Sequence, residues 1–175
     1  MKLISFVRKG QTSFGAVVPG GIINLGGCLD RNVHSLNAAL NSGLMSEAML
    51  YSKGRSHEFA WSDVTLLPVI PDPSKILCIG LNYQKHKIET GRPDVDYPTV
   101  FTRFSDSQVA HGQPMMRPAV SERFDYEGEM AVIIGRGGRN IKLVDALDHV
   151  AGYACYNDGS IRDWQQRTSQ FTPGK

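Results

Sequence analysis

Two glutamates in the second half of the chain have the types and spacing best suited to chemistry. Glu127 and Glu129 lie in the sequence DYEGE at residues 125–129, and the apolar run MAVIIG follows them directly. Side chains alternate between the two faces of a β-strand, so a strand here would point both carboxylates the same way. Neighbouring carboxylates repel each other unless a cation or a proton lies between them. The pattern therefore predicts that this pair holds a cation or shares a proton.

A third carboxylate follows the next predicted strand. Asp158 comes after the strand predicted over residues 150–156 and before a predicted helix, a usual position for a ligand-binding carboxylate. Together with Glu127 and Glu129 it would form an all-oxygen site, which suits Mg²⁺ or Mn²⁺, with Ca²⁺ as a further candidate, rather than zinc. The alternative is that the glutamates form a solvated strand edge and that Asp158 caps the helix.

A histidine and a glutamate form the second candidate site. His86 and Glu89 are three residues apart, so in the helix predicted over residues 82–90 they share a face and can interact. A carboxylate that holds one imidazole nitrogen leaves the other nitrogen to act as a base. The alternative is a surface pair with no chemical role, placed between Lys85 and Lys87.

Several cationic residues are weaker candidates. The sequence RGGRN at residues 136–140 is either an anion-binding turn or an ordinary one. Arg103, His111 and Arg117 could reach a carboxylated substrate, although their spacing singles out none of them. Lys175, the last residue, carries no signal by its spacing.

The first part of the chain contains no constellation of catalytic residues but has clear structural signals. Its alternating apolar pattern predicts strands over residues 3–7, 13–18 and 22–25. Two helices follow, over residues 35–41 and 46–52, with Ser35 and Ser46 as N-caps. We therefore expect a small α+β domain at residues 1–70.

A proline-rich segment separates this part from the candidate sites. LLPVIPDPSK at residues 66–75 contains three prolines, which neither a helix nor a central strand accepts, so it is predicted to be a linker. The second domain is expected at residues 71–175 and has mixed α and β character. Its predicted strands are 75–80, 99–104, 127–135 and 150–156, and its predicted helices are 82–90, 143–149 and 160–168.

Composition excludes several classes of protein. The 175 residues include 19 Lys and Arg against 17 Asp and Glu, and the net charge of +2 is too small to indicate nucleic acid as the main partner. No apolar run approaches the roughly 18 residues of a transmembrane helix, and the first residues do not form a signal peptide. Three widely spaced cysteines provide neither a disulfide framework nor a zinc motif. We therefore expect a cytoplasmic protein with no membrane partner.

Four sequence blocks, taken in order, resemble the fumarylacetoacetate hydrolase family. They cover about residues 74–175 and read KILCIGLNYQKHKIETG, PTVFTRF, DYEGEMAVIIGRGGRNI and HVAGYACYNDGSIRDWQ. Residues 1–70 resemble the small N-terminal domain of many bacterial members. The resemblance implies the mixed β-sheet roll of this family and a homodimer.

The resemblance also implies roles for individual residues. In the family, the glutamates of YEGE and the aspartate of NDxSxRD bind Mg²⁺ or Mn²⁺, and these positions are Glu127, Glu129 and Asp158. The histidine and glutamate of GLNYxxHxxE form a catalytic base dyad in several members, and these positions are His86 and Glu89.

The implied activity is a divalent-metal-dependent hydrolase that cleaves a C–C bond. Its substrate would be a small carboxylated keto or enol compound, namely a β-dicarbonyl or 2-oxo acid of the fumarylacetoacetate or acylpyruvate type. Such compounds occur in the catabolism of aromatic compounds or organic acids. The lysine with which the family helps to hold this substrate corresponds to Lys175. The alternative is an isomerase or decarboxylase of 2-hydroxydienoates or oxaloacetate that uses the same metal–enolate chemistry.

The position of this lysine leads to a further expectation. Family members continue well past it, whereas the chain ends at Lys175. We therefore expect a catalytic domain that lacks its C-terminal part, and a second alternative is an inactive fragment. Cooperative unfolding would distinguish a self-sufficient domain from such a fragment.

Overall fold

A computed structural model describes residues 1–89, 91 and 96–175, which fall into two compact units. The first unit comprises Met1–Asp72, Val109–Pro114 and Gly128–Tyr156. The second unit comprises Pro73–Gln108, Met115–Glu127 and Asn157–Lys175. The division at residue 70 stays a prediction. Among the described residues, no helix has the length and apolar character that a membrane crossing requires.

Short strands and short helices alternate along the described residues. The α-helices are α1 (Leu36–Asn41), α2 (Met45–Ser52), α3 (Gln84–Glu89) and α4 (Arg162–Gln165). The strands are β1 (Lys2–Arg8), β2 (Gln11–Val18), β3 (Gly21–Asn24), β4 (Thr65–Leu66), β5 (Ile76–Gly80), β6 (Thr99–Arg103), β7 (Phe124–Asp125), β8 (Gly128–Ile134), β9 (Val150–Asn157) and β10 (Ser160–Ile161).

The first unit contains a four-stranded sheet with the strand order β3-β2-β1-β4, and each neighbouring pair is antiparallel. The hairpin between β1 and β2 turns through Lys9 and Gly10, which both have positive φ, as a two-residue turn between right-twisted strands requires. The three strands predicted in this region are confirmed, with bounds that differ by one or two residues.

Helices α1 and α2 cover this sheet and close an apolar core. The predicted cap of α1 is confirmed, since the Ser35 hydroxyl accepts a hydrogen bond from the Ala38 amide at 3.1 Å. The predicted cap of α2 is wrong, because the helix begins at Met45 after Leu44, without a side-chain cap. The buried core of this unit consists of Phe14, Ala16, Ile23, Leu25, Val33, Leu36, Ala39 and Ala48.

Strands β8 and β9 also belong to the first unit and form a two-stranded sheet. The helix predicted over residues 143–149 is confirmed with the same bounds, and it is a 3₁₀ helix. Strand β8 begins at Gly128, so Glu127 precedes the strand instead of opening it. The strand predicted over residues 127–135 is confirmed except for its first and last residues. That the Glu127 and Glu129 side chains point the same way stays a prediction.

The second unit is built on two pairs of antiparallel strands. Strand β5 pairs with β6, and β7 pairs with β10. The helix predicted over residues 160–168 is wrong at both ends, because Ser160 and Ile161 form β10 and α4 has only four residues. Pairing with β7 outweighs the local helical signal at Ser160. Helix α3 confirms the core of the helix predicted over 82–90, whose last residue, Thr90, lies outside the described residues.

The second unit buries charged side chains as well as apolar ones. The buried positions of the second unit include polar and charged groups, with Arg103 and Asp158 each less than a tenth exposed and Ser160 fully buried. Burying charges is costly unless they are paired and hydrogen-bonded. The second unit therefore requires a network of ion pairs at these positions.

Candidate active site

Backbone pairing places Glu127 beside Asp158. Strands β7 and β10 align Asp125 with Ser160, and just beyond that pair the Asp158 amide donates to the Glu127 carbonyl oxygen at 2.9 Å. The Glu127 amide in turn donates to the side-chain oxygen of Asn157 at 3.0 Å. Two carboxylate residues that are 31 positions apart in the sequence are thus neighbours across a backbone hydrogen bond.

Lys175 bridges these two carboxylates. Its ammonium nitrogen Nζ lies 2.9 Å from Glu127 Oε1 and 2.7 Å from Asp158 Oδ2, and its side chain is only 1% exposed. Nζ also lies 4.8 Å from the centre of the Phe101 ring, which gives the ammonium an aromatic wall. Glu127 and Asp158 therefore share a cationic group, the ammonium of the lysine that the resemblance assigns to the site.

A glycine makes this position of Lys175 possible. The chain enters a 3₁₀ turn, Thr172–Gly174, through Phe171, whose φ of 62° is left-handed. A Cβ added to Gly174 would lie 2.3 Å from the backbone nitrogen of Gln165 and 2.6 Å from the carbonyl oxygen of Ile161. The absence of a side chain at Gly174 thus allows the last turn to pack against β10 and α4.

Two arginines complete the network. Arg103 Nη1 donates to Asp158 Oδ1 at 2.5 Å, and both side chains are 6% exposed. Arg162 donates through Nη1 to Glu127 Oε1 at 2.8 Å, and through Nη2 and Nε to Asp125 Oδ2 at 2.7 and 2.9 Å. Each carboxylate thus has a guanidinium partner, and Glu127 and Asp158 share the Lys175 ammonium in addition.

Glu127 is held in its ionised form by this network. Burial raises the pKa of the Glu127 carboxyl, but hydrogen bonds from Ser160 and Lys175 and the charges of Lys175 and Arg162 lower it by more. The pKa therefore lies below its ordinary value. At neutral pH the carboxylate is available to bind a cation.

His86 and Glu89 lie together on α3, as their spacing predicts. The distance between His86 Nδ1 and Glu89 Oε2 is 3.8 Å, and both side chains are more than half exposed. This arrangement leaves Nε2 as the ring nitrogen on the side away from the carboxylate. The role of the pair as a catalytic base stays a prediction.

Glu129 is the second residue of β8, in the first unit, and is half-buried. In the described part of the chain, no group of three or more histidine, cysteine or carboxylate side chains is arranged to hold a metal ion. The three-carboxylate ligand set with Glu127 and Asp158 stays a prediction.

Glu127 and Asp158 fit a divalent cation in charge and donor type. Both present carboxylate oxygens, the ligands that Mg²⁺ and Mn²⁺ prefer. Both already contact the same ammonium, that of Lys175, at 2.9 and 2.7 Å. Such an ion would be held by these two side chains.

The sequence did not reveal the arginine partners. Arg103 was one of three residues that could reach a carboxylated substrate, and its guanidinium is bonded to Asp158 and to the Gly159 carbonyl oxygen. Arg162 and Ser160 were not singled out at all. A possible signal was the sequence SIRD at residues 160–163, which follows Asp158 and brings a hydroxyl and a cation close to the carboxylates. Arg117 donates to the backbone carbonyl oxygen of Ser121.

Comparison with known proteins supports one family throughout. The family model described as "Fumarylacetoacetate (FAA) hydrolase C-terminal" matches residues 75–175. The oxaloacetate tautomerase YisK of Bacillus subtilis is 44% identical over 124 residues, which are 69% of this chain and 41% of that protein. The mitochondrial oxaloacetate tautomerase FAHD2B of Homo sapiens is 35% identical over 160 residues, or 89% of this chain and 51% of the relative.

A solved structure extends the similarity to the whole described fold. The fumarylacetoacetate hydrolase of Exiguobacterium antarcticum superimposes with a TM-score of 0.80 at 31% identity, over 100% of this chain and 61% of that one. The chain thus spans between about two fifths and three fifths of the length of these proteins.

Proposed function

Since the chain belongs to the fumarylacetoacetate hydrolase family, we propose that Glu127, Asp158 and Lys175 form part of a site that interconverts the keto and enol forms of a 2-oxo acid such as oxaloacetate. The observation that carries the proposal is the sharing of the buried Lys175 ammonium by the buried Asp158 and the half-buried Glu127. The sequence relatives described above are oxaloacetate tautomerases, which favours tautomerisation over the hydrolysis expected first.

The chemistry requires a cation near the substrate oxygens. A bound Mg²⁺ or Mn²⁺ would supply Lewis-acid polarisation of the keto oxygen, with Glu127 and Asp158 as its holders. Lys175 and Arg162 lie beside these carboxylates and would bind the anionic oxygens of the substrate. Lys175 and Arg162 would thus orient one small dianion.

Tautomerisation then moves one proton. His86, oriented by Glu89, would take a proton from C3 of the substrate on Nε2, and the electrons of the broken C–H bond form the C2=C3 double bond. The former keto oxygen becomes an oxyanion, which Lys175 Nζ would stabilise until the proton held on His86 Nε2 is transferred to it. This gives the enol and restores the neutral histidine. No bond to water is made and no carbon fragment is released.

C–C bond hydrolysis is the second candidate. It is favoured by the Exiguobacterium structure, a fumarylacetoacetate hydrolase that matches the entire chain. In that reaction His86 would deprotonate a water molecule that attacks the substrate carbonyl. Both reactions pass through an enolate, so the same residues would serve either one.

A substrate comparison on the complete gene product tests the proposal. The purified protein, with Mn²⁺ or after chelation, is given oxaloacetate, whose enol is followed by ultraviolet absorbance, and an acylpyruvate, whose cleavage is followed by product release. We expect metal-dependent tautomerisation well above the buffer rate. Acylpyruvate cleavage without any acceleration of tautomerisation would refute the proposal in favour of the hydrolase.

Two matched variants assign the reaction to the site. His86→Asn should lose tautomerisation, whereas Lys85→Gln, which changes a neighbouring residue of α3, should keep it. Equal activity of both variants would remove His86 from the mechanism. The homodimer and the cytoplasmic location stay predictions.

A further inference from the structure

We propose that Arg103 is a positioning residue that leaves Asp158 a single carboxylate oxygen for a metal ion, and thereby makes the site select Mg²⁺ and Mn²⁺ over Ca²⁺. The proposal rests on the proposed function because it takes Asp158 to be a metal ligand. Arg103 touches neither substrate nor metal and acts through Asp158.

The two oxygens of Asp158 have different partners. Oδ1 accepts from Arg103 Nη1 at 2.5 Å, whereas Oδ2 lies 2.7 Å from Lys175 Nζ, on the side of Glu127. The contact between Arg103 and Asp158 is buried, since both side chains are only 6% exposed. A charge-assisted hydrogen bond at such a site is strong and fixes the orientation of the carboxylate.

The guanidinium is itself held in place from two further directions. Nη1 also donates to the Gly159 carbonyl oxygen at 3.1 Å, and Nε donates to Ser107 Oγ at 3.4 Å. Strand β6 ends at Arg103, so its backbone position is set by the pairing with β5. Because the group cannot rotate away without losing these bonds, Oδ1 keeps its charge-assisted hydrogen bond and is the weaker metal ligand of the two oxygens.

An occupied Oδ1 has different consequences for different ions. Ca²⁺ takes six to eight oxygen ligands and often binds a carboxylate through both oxygens, whereas Mg²⁺ demands octahedral geometry and accepts single oxygens. An ion that displaces the Lys175 ammonium from Oδ2 therefore gains one strong oxygen ligand from Asp158. This suits the smaller ions and weakens the second ligand that Ca²⁺ would take.

The affinity ratio of two ions tests this role. Arg103→Met frees Oδ1 but also deletes a positive charge, which strengthens the binding of any divalent cation. Mn²⁺ and Ca²⁺ carry the same charge, so this electrostatic effect largely cancels in the ratio of their dissociation constants. Calorimetric titration of the complete gene product should show the preference for Mn²⁺ over Ca²⁺ falling by about tenfold, the lower end of the range for residues that orient metal ligands.

Two further variants control the experiment. Arg103→Lys keeps a cation that can bond to Oδ1, so it should retain most of the preference for Mn²⁺. Arg167→Met deletes an exposed arginine of the same unit, one that stacks on Trp164 at 3.7 Å, and should change neither affinity.

The outcomes separate this inference from the proposed function. Absence of Mn²⁺ binding by the unaltered protein would refute both. Equal shifts of the two affinities in Arg103→Met, with an unchanged ratio, would leave the metal site intact and refute the selecting role of Arg103. If Arg103→Met does not fold, a structure of the unaltered protein with Mn²⁺ decides, because two Asp158 oxygens on the ion would overturn the inference.

Discussion

Replacing Lys175 with methionine tests whether its ammonium stabilises the metal-free site. The substitution keeps the length of the side chain but removes the charge from a position that is 1% exposed and contacts two carboxylates. Breaking a buried ion pair costs about 3–5 kcal/mol because it leaves an uncompensated charge. Asp158 and Glu127 keep their bonds to Arg103 and Arg162, so we expect the lower end, about 3 kcal/mol.

Thermal unfolding measures this loss. For a protein of this size 1 kcal/mol corresponds to about 2–4 °C, so Lys175→Met should melt about 6–12 °C below the unaltered protein in the presence of a chelator. Mn²⁺ should then reverse most of the loss, since a ligand at 100 times its dissociation constant contributes about 2.7 kcal/mol. The unaltered protein should gain less from Mn²⁺, because the ion has to compete with the ammonium.

A matched control separates this effect from a general loss of charge. Lys75→Met removes an exposed lysine of the same unit and should leave the melting temperature unchanged. The reasoning fails if Lys175→Met melts with the unaltered protein in chelator, or if Mn²⁺ stabilises the two proteins equally.

Three other substitutions test separate parts of the site. Gly174→Ala places a Cβ 2.3 Å from the backbone nitrogen of Gln165, so it should displace Lys175 and lower both the melting temperature and the activity; an unchanged melting temperature would show that the last turn tolerates a side chain. His86→Asn should lower kcat by about 100-fold or more, the usual contribution of a general base, without changing calorimetric Mn²⁺ affinity, and a normal kcat would contradict the base assignment. The pKa of Glu127 is lowered in the folded protein, so its carboxylate stabilises the fold above the unfolded-state pKa of about 4.3, and this contribution disappears as the pH falls through the lower folded-state value. Between about pH 6 and pH 3 the melting temperature should therefore fall more steeply for the unaltered protein than for Glu127→Gln, and parallel curves would refute the shift.

The fold could be predicted from the sequence where the signal is local or rests on the family resemblance. Alternating apolar residues predicted β1 to β3, and the family-type fold is confirmed by the match to the Exiguobacterium structure. The local signal failed at Ser160, where a hydroxyl before a polar run indicates a helix start but pairing with Asp125 makes a strand. Strand pairing of this kind depends on residues far away in the chain, which local patterns do not contain.

The candidate site shows the same division. The carboxylates Glu127 and Asp158 could be singled out by position, and Lys175 by resemblance, and the structure brings all three together. The partners Arg103 and Arg162 lie 55 and 35 positions away from the carboxylates that they bind. Nothing near Arg103 marks it, because an ion pair across the fold leaves no spacing pattern in the sequence, and Arg162 is marked only by its place in SIRD after Asp158.

The charges of the cluster also bear on the substrate. Three carboxylates are matched by three cationic side chains, so the contacting set is neutral: Asp125, Glu127 and Asp158 against Arg103, Arg162 and Lys175. A divalent cation adds two positive charges, and a dianion such as oxaloacetate restores neutrality. A monocarboxylate would leave a net positive charge next to Arg103, Asp158 and Lys175, whose side chains are buried, which is costly. Under the proposed function, with Glu127 and Asp158 as the carboxylates that hold the ion, this charge balance favours a dicarboxylic 2-oxo acid.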